Sequence, residues 1–174
     1  MTSLAGYIRE VPDFPVPGIL FYDITTLIQK GDAFRETVRQ LAEKVKLWGS
    51  IDLIAAPEAR GFIFAAPLAA ELGAGLIPIR KPGKLPFKTV SKSYDLEYGT
   101  NTVQMNIDAI QPGKRVLLVD DLLATGGTME ACRQLVTESG GHVVGAAFVI
   151  ELLFLNGREK IKMEKIETLV KYEK

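Results

Sequence analysis

Asp120 and Asp121 are neighbouring carboxylates that follow the apolar run Val116-Leu117-Leu118-Val119, and Ala124-Thr125-Gly126-Gly127-Thr128 comes just after them. The run reads as a strand and the glycines as a turn that opens a helix at Thr128. Both acids then fall at the C-terminal end of a strand, where open α/β sheets place their ligands. Gly126 and Gly127 let the backbone approach a ligand, Thr125 and Thr128 offer hydroxyls, and free amides at a helix N-terminus favour a phosphate. Two carboxylates repel that phosphate unless they face something else, and vicinal sugar hydroxyls or a magnesium ion would satisfy them. A bare strand-to-helix turn needs neither two acids nor two threonines. The pattern also lacks the Gly-Lys-Ser/Thr of nucleoside triphosphate sites and the spaced glycine triplet of dinucleotide sites.

A second turn, Glu58-Ala59-Arg60-Gly61, has the same setting between an apolar run and a helical pattern, so its amides and Arg60 can hold an anion. Arg80, Lys81, Lys84, Lys88 and Lys92 gather positive charge in the segment 80–101, which is polar, contains Pro and Gly, and is too long for an ordinary connection. Such a segment marks a lid or binding loop, against the plainer reading of a solvated surface loop. Phe21 can stack on a flat ring or belong to the core. Glu97, taken alone, is a surface charge; beside a reacting base it is a proton relay.

The elements that position these residues alternate in type. Apolar runs at Leu53 to Ala56 and Leu76 to Ile79 flank a helical pattern from Gly61 to Leu72. A second unit joins Val116 to Val119, a helix from Thr128 to about Glu138, and a strand from His142 to Ile150. Two βαβ units with continuous apolar strands predict a parallel sheet covered on both faces. Upstream, Leu4, Tyr7, Ile8 and Val11 predict a short amphipathic helix before a proline-rich loop. Asp32 is placed to cap a helix whose face is Phe34, Val38, Leu41 and Val45, with Gly49 beyond its end. The segment 158–174 reads as a charged surface element. Cys132, His142 and Trp48 read as a packed thiol, a structural strand residue and a helix-end anchor.

A chain of 174 residues fits one domain. Its 21 basic and 21 acidic residues balance, so total charge draws it to neither nucleic acid nor membrane. The single cysteine cannot make an intramolecular disulfide, which suits a reducing compartment, and no segment is apolar enough to span a bilayer. The expected location is cytoplasmic.

Asp120 to Thr128 resembles the phosphoribosyl pyrophosphate signature of the type I phosphoribosyltransferases, and Val-Asp-Asp-Leu-Leu-Ala-Thr-Gly-Gly-Thr is similar to the wording of the adenine-specific branch. Further matches are Phe14 to Phe21, Glu58 to Phe62, Arg80 to Pro86 and Tyr94 to Gly99. The resemblance implies an α/β chain with the type I phosphoribosyltransferase fold: a Rossmann-like, twisted, mostly parallel sheet flanked by helices. It implies one domain over 1–174, with a small N-terminal hood and base-recognition loop at 1–30 and a long flexible catalytic loop at 80–101. The implied reaction converts adenine and 5-phosphoribosyl 1-pyrophosphate to AMP and pyrophosphate on Mg2+, which the substrate rather than dedicated protein ligands would hold. A homodimer with no nucleic-acid or membrane partner is implied as well.

By the same resemblance, Ala124, Thr125, Gly126, Gly127 and Thr128 hold the 5′-phosphate, and Asp120 and Asp121 hold the ribose hydroxyls. Glu58, Ala59, Arg60, Arg80, Lys81 and Lys84 bind pyrophosphate, with Arg60 and Lys84 acting in catalysis and a non-proline cis peptide at Glu58-Ala59. Arg80 would reach a neighbouring subunit's site. Phe21 stacks on adenine, the backbone of Leu20 and Tyr22 reads its edge, and Glu97 assists proton transfer near N7. The chain departs from the family pattern at Tyr22, where many relatives carry Arg or Lys. Two rivals stand beside this reading: the same transfer to another base, and a non-catalytic sensor of purines or phosphoribosyl pyrophosphate. The second would ordinarily bring a DNA-binding domain, for which the chain has no helix-turn-helix segment.

Overall fold

Apolar runs without polar alternation are buried on both faces, and here they build the centre of the molecule. A computed structural model describes residues 3–95 and 99–174. A 3-10 turn at Ala5–Tyr7 leads to a hairpin of β1 (Arg9–Pro12) and β2 (Leu20–Asp23), then α1 (Thr25–Ile28) and α2 (Gly31–Lys46). The sheet begins with β3 (Leu53–Pro57), α3 (Arg60–Leu72) and β4 (Gly75–Ile79), followed by a second hairpin of β5 (Thr89–Asp95) and β6 (Thr100–Asn106). It resumes with β7 (Arg115–Leu123), α4 (Gly127–Glu138) and β8 (His142–Leu152), and closes with α5 (Gly157–Lys160) and β9 (Ile166–Tyr172).

The five sheet strands lie in the order β4-β3-β7-β8-β9, and every pair is parallel. Alternate residues of β7 serve opposite faces. Leu117 and Val119 join Leu41, Val45, Phe64 and Leu68 of α2 and α3, whereas Val116 and Leu118 join Met105, Cys132, Leu135 and Val136 under α4 and the second hairpin. From β3 the chain winds one way to β4, and from β7 it winds the other way to β8. A crevice therefore opens between the C-terminal ends of β3 and β7, the point where such sheets bind ligands.

Several expectations change. Leu4 and Ile8 are buried as predicted, but Tyr7 is exposed and Val11 pairs with Phe21 across β1 and β2, so strand pairing replaces the expected N-terminal helix. Lys30, in extended conformation, is the N-cap of α2, and Asp32 lies in the first turn without capping it. There its charge complements the helix dipole. Asp120 and Asp121 lie near the C-terminal end of β7 as expected, and pairing with β8 carries the strand on to Leu123 and Glu151. The tail is no surface appendage: Ile166–Tyr172 is the edge strand, with Thr168 and Val170 buried. Glu167 and Lys171 on the alternate positions disguise its apolar face in the sequence.

Within the segment 80–101, the described residues Thr89–Asp95 form β5, paired antiparallel with β6. Arg80 and Gln104 exchange backbone hydrogen bonds at 2.8 and 2.7 Å, and Val103 and Met105 are buried beneath the hairpin. Cys132 is fully buried, and burial and the charge of Asp120 push its thiol up, as expected of a packed, inert residue. Trp48 packs against the α2 side of the core, consistent with its anchoring role.

Candidate active site

The turn after β7 forms a cup of about 200 Å³, walled by Arg60, Asp120, Asp121, residues 122–128, Met129 and Phe148. Two glycines make its shape possible. Gly126 has φ +80°, and a Cβ there would run into the carbonyl oxygen of Gly157. A Cβ on Gly157 would in turn strike the carbonyl oxygen of Ala124. The short α5 turn is thus seated directly on the loop. No side chain caps α4, so the amides of its first turn are left for a ligand.

The acid pair forms the floor. The Asp121 amide donates to Asp120 Oδ1 at 2.8 Å, and a Cβ on Gly61 would approach that oxygen to 2.9 Å, so α3 starts hard against β7. Burial raises the pKa of Asp120 well above the usual carboxylate range, and the charge of Asp121 raises it further. Burial also raises Asp121, opposed by Arg60. Arg60 Nε lies 3.0 Å from Asp121 Oδ2, a charge contact without hydrogen-bond alignment. Carboxylates this crowded are matched by hydroxyl donors or a cation.

Opposite the cup, the Glu58-Ala59 peptide is cis, as the resemblance implies. The Glu58 carboxylate does not face the crevice freely. One oxygen accepts from Arg80 Nε and Nη2 at 3.1 and 2.8 Å, and the other accepts the Lys81 amide at 2.5 Å. The Lys81 amide, then Arg80, hold Glu58 below its ordinary pKa. Arg80 Nη1 also donates to the Lys84 carbonyl at 3.2 Å, which fixes the start of the loop. Among the described residues Arg80 therefore serves its own Glu58, while Lys81 and Lys84 are exposed on the rim and their ammonium groups make no ion pair.

The hood supplies an apolar cavity of about 390 Å³ lined by Val11, Phe14, Phe21, Asp23, Ile24, Thr25 and Arg60. Phe14 and Phe21 meet edge to face at 5.1 Å, and the Arg60 guanidinium lies 5.5 Å from the centre of the Phe21 ring. Leu20 is exposed beside them. The Tyr22 side chain turns inward, stacked on Tyr172 at 3.8 Å and donating to the Lys174 carbonyl at 2.7 Å. Only its backbone remains on the hood, so the departure at this position serves packing of the C-terminal strand.

The second hairpin leans on the cup. Tyr94 Oη and Thr128 Oγ1 share a hydrogen bond of 2.9 Å, and Lys92 Nζ meets Glu138 Oε1 at 2.5 Å. Glu97 lies outside the described residues. Sequence reasoning missed Tyr94 and Gly157; for the latter, the turn-forming pair Asn156-Gly157 was the available signal.

A cup open to helix amides and an apolar cavity share the wall of Arg60 at the switch point of a parallel sheet, the place where α/β proteins bind nucleotides and their precursors. The model of the phosphoribosyl transferase domain matches residues 25–171. The adenine phosphoribosyltransferase of Acetivibrio thermocellus is 53% identical over 170 residues, covering 98% of this chain and 99% of that one. The crystal structure of the enzyme of that name from Thermoanaerobacter pseudethanolicus superposes with a TM-score of 0.93 at 50% identity, covering 97% of this chain and 98% of the other. The Saccharomyces cerevisiae counterpart, solved with adenine and an imino-altritol bisphosphate, gives 0.89 at 36% identity, covering 95% and 96%. The chain belongs to the phosphoribosyl transferase family, in its adenine phosphoribosyltransferase branch.

Proposed function

We propose that the protein transfers the phosphoribosyl group of 5-phosphoribosyl 1-pyrophosphate to N9 of adenine, releasing pyrophosphate and forming AMP for purine salvage. The observation that carries this reading is Arg60, which borders both the anion cup and the apolar ring cavity. A substrate pair made of a flat base and a phosphorylated sugar would meet beside it.

In this reading Ala124 to Thr128 hold the 5′-phosphate with the α4 amides, and Asp120 and Asp121 accept from the ribose hydroxyls. Arg60, the Ala59 turn, Lys81 and Lys84 receive the pyrophosphate. Glu58 holds Arg80 and the loop rather than the anion, since a carboxylate facing pyrophosphate would repel it. Phe21, braced edge to face by Phe14, stacks on the base, and the backbone of Leu20 and Tyr22 reads its edge. The anomeric carbon–oxygen bond breaks through a cationic sugar, as in glycoside hydrolysis, and the purine nitrogen takes the carbon. Glu97 accepts the proton that the imidazole ring loses. Residues 1–30 act as the hood and 80–101 as the catalytic loop that excludes water.

Among the described residues no group of three or more acidic, histidine or cysteine side chains is arranged to hold a metal. The crowded acid pair fits a cation brought by the substrate, and Mg2+ would neutralise the leaving pyrophosphate. Among the described residues no helix is long and apolar enough to cross a membrane. The lone buried thiol suits a reducing compartment and supports a cytoplasmic location. The family resemblance supports a homodimer.

The test follows nucleotide formation from phosphoribosyl pyrophosphate, Mg2+ and each of several bases, beside a Glu97→Gln variant. AMP from adenine alone, with turnover reduced ~10²–10⁴-fold in the variant, is the expected result. No nucleotide from any base, with phosphoribosyl pyrophosphate still bound, would replace the enzyme by a sensor.

A further inference from the structure

Lys160 ends the short α5 turn, in the segment that the sequence presents as a charged surface. Its position is not loose. Gly157 is seated against Ala124 and Gly126 so closely that neither Gly126 nor Gly157 tolerates a Cβ. On the other side of the same turn, Arg158 Nη2 donates to Glu151 Oε2 at 2.8 Å, and Arg158 Nη1 donates to the Ile166 carbonyl at 3.0 Å. Glu151 is buried, and Arg158 and Thr168 hold its carboxylate below the usual range against the opposing effect of burial. The turn is therefore clamped between the edge strand and the phosphate loop.

That clamp carries the Lys160 ammonium to Gly127, the first residue of α4. Nζ lies 3.5 Å and Cε 3.9 Å from the point a Cβ on Gly127 would occupy, beside the Tyr94 ring at 3.6 Å. Among the described residues Lys160 has no ion pair and no hydrogen bond, whereas Arg158 on the same turn is fully engaged. An unpaired ammonium beside an uncapped helix N-terminus adds a full positive charge to the partial charge of the amides. Its long stem lets it reach an anion seated on the loop without moving the backbone.

We propose that Lys160 is a substrate-binding residue that pairs with the 5′-phosphate of the phosphoribosyl group, supplied to the cup by the C-terminal segment. The inference rests on the assignment of that cup to the phosphate. The competing role is packing alone, in which the stem of Lys160 merely covers Gly127. Lys160→Met keeps the stem and removes the charge, so it separates the two.

The experiment measures binding of AMP and of adenosine to the wild-type protein, Lys160→Met and Lys160→Arg, with thermal melting of each. We expect Lys160→Met to bind AMP about tenfold more weakly, with adenosine binding and melting temperature unchanged and most of the loss recovered in Lys160→Arg. The KM for phosphoribosyl pyrophosphate should rise by a similar factor while kcat stays within about twofold. AMP affinity unchanged in Lys160→Met, or an equal loss for AMP and adenosine, overturns the role of Lys160 and leaves the cup intact. Wild-type protein that binds AMP no better than adenosine overturns the cup assignment itself.

Discussion

Arg60 Nε lies 3.0 Å from Asp121 Oδ2, joining the turn after β3 to the strand that carries the acid pair. The carboxylate is buried, with a side-chain exposure of 4%, whereas the arginine is 44% exposed. One guanidinium thus restrains a buried charge, borders the cup and lies near the Phe21 ring. This contact crosses the switch point of the sheet, which is why changes at Arg60 should disturb both substrates.

Arg60→Gln removes the cation that opposes the burial-driven rise of Asp121. The acid group should then titrate at still higher pH, moving the acidic limb of the kcat/KM profile upward. Loss of a preorganised cation at the leaving group should lower kcat/KM about 10–100-fold. A pH–rate series on both proteins reads each effect.

Asp120→Asn should stabilise the protein while impairing activity. Asp120 holds its proton to a higher pH when folded than when unfolded. Between those two values the native state binds more protons, so stability falls as pH rises through the window and the cost is complete above the folded value. Removing one charge of the pair should raise the melting temperature by about 2–4 °C at about pH 7. The gain should vanish at about pH 4, near the unfolded value. Paired melting curves at the two pH values check the sign.

Gly157→Ala should damage the loop Ala124 to Thr128 from outside the site. The added methyl meets the Ala124 carbonyl oxygen and the Leu123 side chain, backbone and core that have little room to give. Overpacking of this kind costs about 1–3 kcal/mol. Denaturant unfolding should show that loss, and the KM for phosphoribosyl pyrophosphate should rise with it.

Tyr94→Phe removes the hydroxyl that bonds Thr128 and leaves the ring in place. The direct stability loss should be about 0.5–1.5 kcal/mol. Because this bond ties the second hairpin to the cup, kcat should fall about 2–10-fold, with the aromatic contact preserved. Steady-state kinetics beside a melting curve distinguish loop misplacement from general destabilisation.

Much of this was legible before folding. The run Val116 to Val119 and the turn Ala124 to Thr128 carry their periodicity and their backbone requirements in the residue types themselves, and the same holds for the turn at Glu58 to Gly61. Local physics governs such features: apolar runs bury, glycines turn, and helix N-termini take anions. An anion site with an acid pair beside it followed from them, and the transfer reaction followed from the family resemblance.

Relationships between distant segments were decided only by tertiary structure. Val11 follows β2 instead of a helical period because pairing with Phe21 satisfies its backbone. Ile166–Tyr172 hides an edge strand behind alternating charges, and nothing within it names β8 as its neighbour. The same holds for Gly157 on Ala124, Tyr94 on Thr128 and Lys160 beside Gly127, whose partners lie tens of residues away in sequence. Side-chain identity sets what a residue can do, but packing of the completed sheet sets which residue it meets.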